Sequence, residues 1–78
     1  GICTKPARLA ILHRNIPNTL SKFTSAMAMD NVNISDLLNR SKGEYAYTML
    51  DLDSVPTEAA ITLLKNAEGV LRVRVIKG

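Results

Sequence analysis

Seventy-eight residues, 46% of them apolar, make one folded domain and leave no room for a second. No apolar run approaches the roughly 18 residues of a membrane span. The one cysteine, Cys3, closes no intrachain disulfide and anchors no metal cluster. The net charge of +3 is mild and the ten Lys and Arg are scattered, with Arg72 and Arg74 the one close pair late in the chain. Solvated surface charge is therefore expected, with no nucleic-acid partner and no membrane.

The first residues, Gly1 to Pro6, carry no signal-peptide pattern. With no initiator Met, residues 1–6 read as a linker from a larger upstream enzyme, 7–77 as the domain, and the cytoplasm as its compartment. Arg8 to His13 is a short apolar run between Pro6 and Pro17 and reads as a buried strand. Pro17 suits the first turn of a helix. Leu20, Phe23, Ala26 and Met27 then recur at helical spacing, which predicts a helix over 17–29. Asp30-Asn31 breaks it. Val32 to Arg40 is a second strand with irregular alternation, and Ser41 to Glu44 is a turn signal that predicts a hairpin. In the third strand, Tyr45 to Asp53, the pattern is clear. Ala46, Thr48, Leu50 and Leu52 share one face; Tyr45, Tyr47, Met49, Asp51 and Asp53 share the other.

Ser54-Val55-Pro56 opens a second helix, with Glu58 near its positive end and Ala60, Ile61, Leu64 and Ala67 as its inner stripe. Gly69 follows its C-terminus, and Val70 to Ile76 is the fourth strand. The order βαββαβ, with right-handed crossovers, predicts a ferredoxin-like α+β fold. Its four-stranded antiparallel sheet should have both helices on one face and the second and fourth strands at the edges.

Catalytic chemistry is absent from the pattern. His13 is the only histidine, and nothing in the spacing brings it to a nucleophile. There is no phosphate loop, no paired cysteines and no metal-ligand spacing, so no catalytic residue, metal or cofactor is expected within the domain. Lys42 to Tyr47 superficially resembles the third-strand motif of RNA-recognition modules. It departs from that motif in the extra Glu44, in Met49 or Leu50 where an aromatic is expected, and in a first strand, Leu9 to Leu12, without an aromatic.

The informative segments are His13-Arg-Asn-Ile-Pro-Asn-Thr-Leu20 and Asn31-Val-Asn-Ile34. The first lies at a strand-to-helix turn, where unpaired backbone N–H groups and the positive end of the dipole suit a carboxylate. His13 and Asn15 add orienting side chains, and Asn33 adds an amide. Plainer roles exist for each: a hydrogen-bonded surface histidine, a helix cap at Asn15, and a turn residue at Asn33.

Taken in order, these residues resemble the ACT domain, and most of all the C-terminal regulatory domain of D-3-phosphoglycerate dehydrogenases. That pattern is a His-x-Asn-x-Pro-Gly-x-Leu loop, a Val-Asn-Ile strand start, and a Tyr-x-x-x-Asp-x-acidic strand. Here stand His13, Asn15, Pro17 and Leu20; Val32, Asn33 and Ile34; Tyr47, Asp51 and Asp53. The resemblance implies an allosteric domain that binds L-serine at the seam of a homodimer paired through the second strand. It implies that His13 and Asn15 hold the ligand from one subunit, with the backbone of Ile16, Pro17, Asn18, Thr19 and Leu20. Asn33, beside Ile34, would reach in from the other subunit. Catalysis, an NAD-dependent oxidation, would belong to upstream domains. A module of a metabolic enzyme that tethers subunits and senses nothing is the first alternative, and an RNA-binding βαββαβ module the second. The loop glycine of that pattern is Asn18 here, a residue that tolerates positive φ but brings a side chain into the pocket.

Overall fold

The computed structural model describes residues 5–78; Cys3 and most of the expected linker lie outside them. The elements are β1 (Ala7–Arg14), α1 (Thr19–Met29), β2 (Ile34–Lys42), β3 (Tyr45–Leu52), α2 (Glu58–Lys65) and β4 (Val70–Lys77). All pairs are antiparallel and the sheet order is β2-β3-β1-β4. This is the expected ferredoxin-like fold, with β2 and β4 at the edges. At the start of the domain, the Pro6 carbonyl accepts from Gly78 N at 3.1 Å, which ties the start of β1 to the end of β4.

One sheet face meets the helices and holds the core. From β1 it receives Ala7, Leu9 and Ile11; from β3, Leu50 and Leu52; from α1, Phe23, Ala26 and Met27; from α2, Ala60 and Leu64. Full burial of each large apolar side chain contributes about 1.5–3 kcal/mol. Met29, on the flank of α1 that faces α2, is 80% exposed. The other sheet face carries the opposite set of β1 and β3 residues, including Arg8, Leu12, Tyr45 and Tyr47.

Several boundaries shift from the sequence reading; three of the shifts have a clear local reason. Helix α1 begins at Thr19, because Asn18 takes a left-handed conformation (φ 69°, ψ 9°) that helical residues do not adopt. Helix α2 begins at Glu58, because the Thr57 hydroxyl accepts from Ala60 N and caps it there. Strand β2 runs to Lys42, and its irregular alternation is a bulge. Ile34 pairs with Leu52 and Asp36 with Asp51, which leaves Ser35 as the extra residue. The bulge puts Ile34 and Leu37 on the same face. A second bulge, on β4, leaves Leu71 unpaired between Arg72 and Val70. Among the described residues no helix is long and apolar enough to cross a membrane.

Candidate ligand nook at the β1–α1 turn

Strand β1 delivers His13 to the core face beside Phe23, with ring centroids 5.0 Å apart and an edge-on angle of 78°. The imidazole is buried. Its Nδ1 lies 2.9 Å from the Arg14 carbonyl, which can only accept, so Nδ1 carries a proton. Its Nε2 lies 2.7 Å from Thr48 Oγ1. Thr48 in turn donates to Asn39 Oδ1 on the edge strand at 2.8 Å. His13 is thus neither a surface histidine nor open to a ligand in the single chain. It fixes the carbonyl at the start of the turn and links it, through Thr48, to β2.

The turn is held from both sides. Arg14 N donates to the Gly69 carbonyl at 2.7 Å, and Asn15 N donates to the Glu44 carbonyl at 2.7 Å. The Asn15 amide donates to the Gly43 carbonyl at 3.2 Å. Asn15 therefore does not cap α1; it fastens the turn to the β2–β3 hairpin. Gly69, at φ +82°, lets Ile16 approach so closely that a Cβ there would stand 2.8 Å from Ile16 Cδ1.

Asn18 stands at the N-cap position, and its side chain makes no capping bond. The first turn of α1 holds no acidic residue, unlike that of α2, which holds Glu58. The positive end of α1 is therefore left with backbone N–H groups that no side chain satisfies. Ile16 is half-buried, and Pro17 and Asn18 are exposed. Thr19 is buried and donates to the Ile16 carbonyl at 3.4 Å. Leu20 and Ile34 pack on the core rather than lining a pocket. A shallow depression of about 470 Å³, lined by Arg14, Ile16, Pro17, Asn18, Glu68 and Gly69, flanks the turn on its β4 side.

Asn33 is not beside this nook within one chain. Strands β1 and β2 both run antiparallel to β3, with Arg14 and Lys42 opposite Tyr45 and with Ala7 and Ile34 opposite Leu52. His13 and Asn33 thus occupy opposite ends of the sheet, about 20 Å apart by strand rise. At its own end Asn33 donates to Asp53 Oδ2 at 2.7 Å. That carboxylate is exposed. Asp53, named in the third-strand pattern but given no ligand role there, is the polar residue that joins Asn33 at this end. Among the described residues no group of three or more His, Cys, Asp or Glu could hold a metal.

With that geometry in hand, comparison with solved structures is informative. The crystal structure of the ACT domain from GTP pyrophosphokinase of Chlorobium tepidum superposes with a TM-score of 0.70 at 19% identity, covering 90% of this chain and 95% of that one. The chain has the ACT-domain fold. The solution structure of the same domain agrees, with a TM-score of 0.66 at 18% identity over 92% of this chain and 85% of that one. The C-terminal domain of the MgtC protein from Mycobacterium tuberculosis reaches 0.73 at 14% identity, over 100% and 92% of the two chains. No protein-family model and no curated protein matches the sequence. The turn after β1 and the edges of β2 and β4 are open in this fold.

Proposed function

We propose that this chain is an amino-acid-sensing regulatory domain that pairs with a second copy through β2 and encloses a small amino acid, L-serine by the sequence resemblance, at the seam. The observation that carries the reading is the tie from Asn15 to Gly43, which hangs the β1–α1 turn beside the end of the free edge strand. Edge strands related by a two-fold axis pair antiparallel. Centred on Leu38, such a pairing brings the partner's Asn33 beside Gly43, and so beside Asn15. It sets Asp36 against the partner's Arg40 on one face, and two apolar Leu38 side chains against each other. Strand β2 is exposed along nearly its whole length, an edge that would otherwise invite uncontrolled pairing.

The ligand's carboxylate would meet the N–H groups of Asn18, Thr19 and Leu20 at the start of α1, since that of Ile16 is already given to the Arg14 carbonyl, with the Asn15 and Asn18 side chains beside it. Its ammonium would meet the partner's Asn33 and the partner's Asp53. His13 acts from beneath, as a positioning residue for the turn. A ligand that bridges two copies favours one docked state over others, which is how such a domain would regulate upstream catalysis. By the same resemblance that catalysis is the NAD-dependent oxidation of 3-phosphoglycerate, and this domain itself takes no cofactor.

Calorimetry of the chain against a panel of amino acids tests this. Serine heat is expected in the native protein, weakened at least about tenfold in Asn33→Ala and in Asn15→Ala, a loss of about 1.4 kcal/mol. Flat traces for every amino acid in a confirmed dimer would leave a tether without a sensor.

A further inference from the structure

The sheet face turned away from the helices gathers charge that the sequence disperses. Arg14 arrives from β1, Arg40 and Lys42 from β2, and Arg72 and Arg74 from β4, all exposed. Arg8 and Asp51, on the same face, engage each other at 2.6 Å. That leaves Asp36 on the face against five cations, with Asp53 just past β3 at one end and Glu44 in the hairpin turn at the other. Between the cationic strands stand Tyr45 and Tyr47, 47% and 41% exposed. They lie two residues apart on β3, about 7 Å by strand rise. Lys42 is opposite Tyr45 and Arg40 opposite Tyr47. The Arg14 guanidinium sits 5.8 Å from the Tyr45 ring centroid. With Leu12 these residues floor a shallow trough of about 410 Å³.

We infer that this face docks a short single strand of nucleic acid, its bases stacking on Tyr45 and Tyr47 and its phosphates lying along the cations of β2 and β4. The chemistry selects that occupant. A second copy placed face to face would meet like charge. A duplex keeps its bases stacked inside and leaves the two rings nothing to stack on. An acidic protein would use the cations but has no call on two solvent-exposed rings spaced along one strand. Stacking platforms set in a positive groove are the general solution for single strands. The site shares Arg14 with the flank of the amino-acid nook; in the proposed pairing Arg40 would face the partner's Asp36, and the phosphate path would rest on Arg14, Lys42, Arg72 and Arg74.

The chain holds two tyrosines and no tryptophan, and both tyrosines stand on this face, so tyrosine emission reports on it alone. Titration with a short oligouridylate at low salt is expected to quench that emission with micromolar affinity. The logarithm of affinity should fall with the logarithm of salt with a slope near −3, as for about four neutralised phosphates. By anisotropy of a labelled strand, Tyr45→Ala and Tyr47→Ala should each weaken binding about tenfold while Tyr→Phe variants keep it. The exposed double variant Arg72→Glu/Arg74→Glu, which leaves the core untouched, should weaken binding more than about tenfold and bring the slope toward about −1.4, as for about two phosphates. Absence of quenching and of anisotropy change would overturn the inference. So would polyglutamate binding as tightly as oligouridylate with no effect of the Tyr→Ala variants, which would make the face a dock for an acidic protein.

Discussion

His13 shows how far a residue's chemistry depends on what surrounds it. Its ring lies in the core with both nitrogens engaged, by the Arg14 carbonyl and by Thr48. Thr48→Val removes the partner of a buried nitrogen and also frees Asn39. A loss of about 1–3 kcal/mol is expected by urea denaturation, much of it desolvation of the stranded nitrogen. The carboxyls of Asp51 and Asp30 behave differently. The Arg8 guanidinium holds Asp51 below the usual carboxylate range, and the hydroxyl and N–H of Thr57 do the same for Asp30. A carboxyl whose folded pKa lies below its unfolded value, about 3.9 for Asp, gives its full stabilisation above that value. It loses it as pH falls through the folded pKa. The melting temperature is therefore expected to fall below about pH 4. Asp51→Asn should lower it at neutral pH and flatten the acid limb. A parallel acid limb in native and variant protein would contradict that assignment. At this scale the sequence told residue type but not direction. Asn18 was readable as a residue suited to positive φ, and it is left-handed; the burial of His13 was not readable, because its partners Thr48 and Asn39 lie on other strands.

The helices and strands were legible where periodicity was strong. The Leu20, Phe23, Ala26 and Met27 stripe and the strict alternation of β3 both specify a face as well as an element, and both faces are as expected. Strand β2 was legible as a strand but not in register, since the bulge at Ser35 shifts which residues share a side. The ends of elements were set by contacts distant in sequence. Thr57 caps α2 while its N–H and hydroxyl bind the Asp30 carboxylate at 2.8 and 2.6 Å, joining the end of α1 to the start of α2. Gly69 belongs to this scale too. Its positive φ and the approach of Ile16 leave no room for a side chain. Gly69→Ala is expected to cost about 1–3 kcal/mol in thermal or denaturant unfolding, and to weaken ligand binding by loosening the turn that Gly69 supports. An unchanged midpoint would show that Ile16 can withdraw freely.

At the scale of the molecule, the proposed pairing fixes a register that charge reversal can test. Asp36→Lys should drive the dimer toward monomer in sedimentation by setting like charges across the seam. Asp36→Lys/Arg40→Glu should restore it. A native dimer that neither change disturbs would place the contact on another surface. The geometry also explains why the two halves of the candidate site stand far apart in sequence and in space. Within one chain the turn after β1 and the start of β2 lie at opposite ends of the sheet; the proposed two-fold pairing would bring them together.

What the sequence determined by itself is whatever local pattern encodes: the order of elements, the core stripe, the inward and outward faces of β3, and the turn where a small anion could sit. These follow from side-chain periodicity and backbone preference, which act between near neighbours in the chain. Tertiary structure decided the rest. It buried His13, turned Asn15 from a cap into a tie to the hairpin, set Asp53 beside Asn33, and collected scattered arginines around two tyrosines on one face. Those outcomes rest on strand register and sheet order, and contacts between distant segments leave no periodic trace in a single sequence.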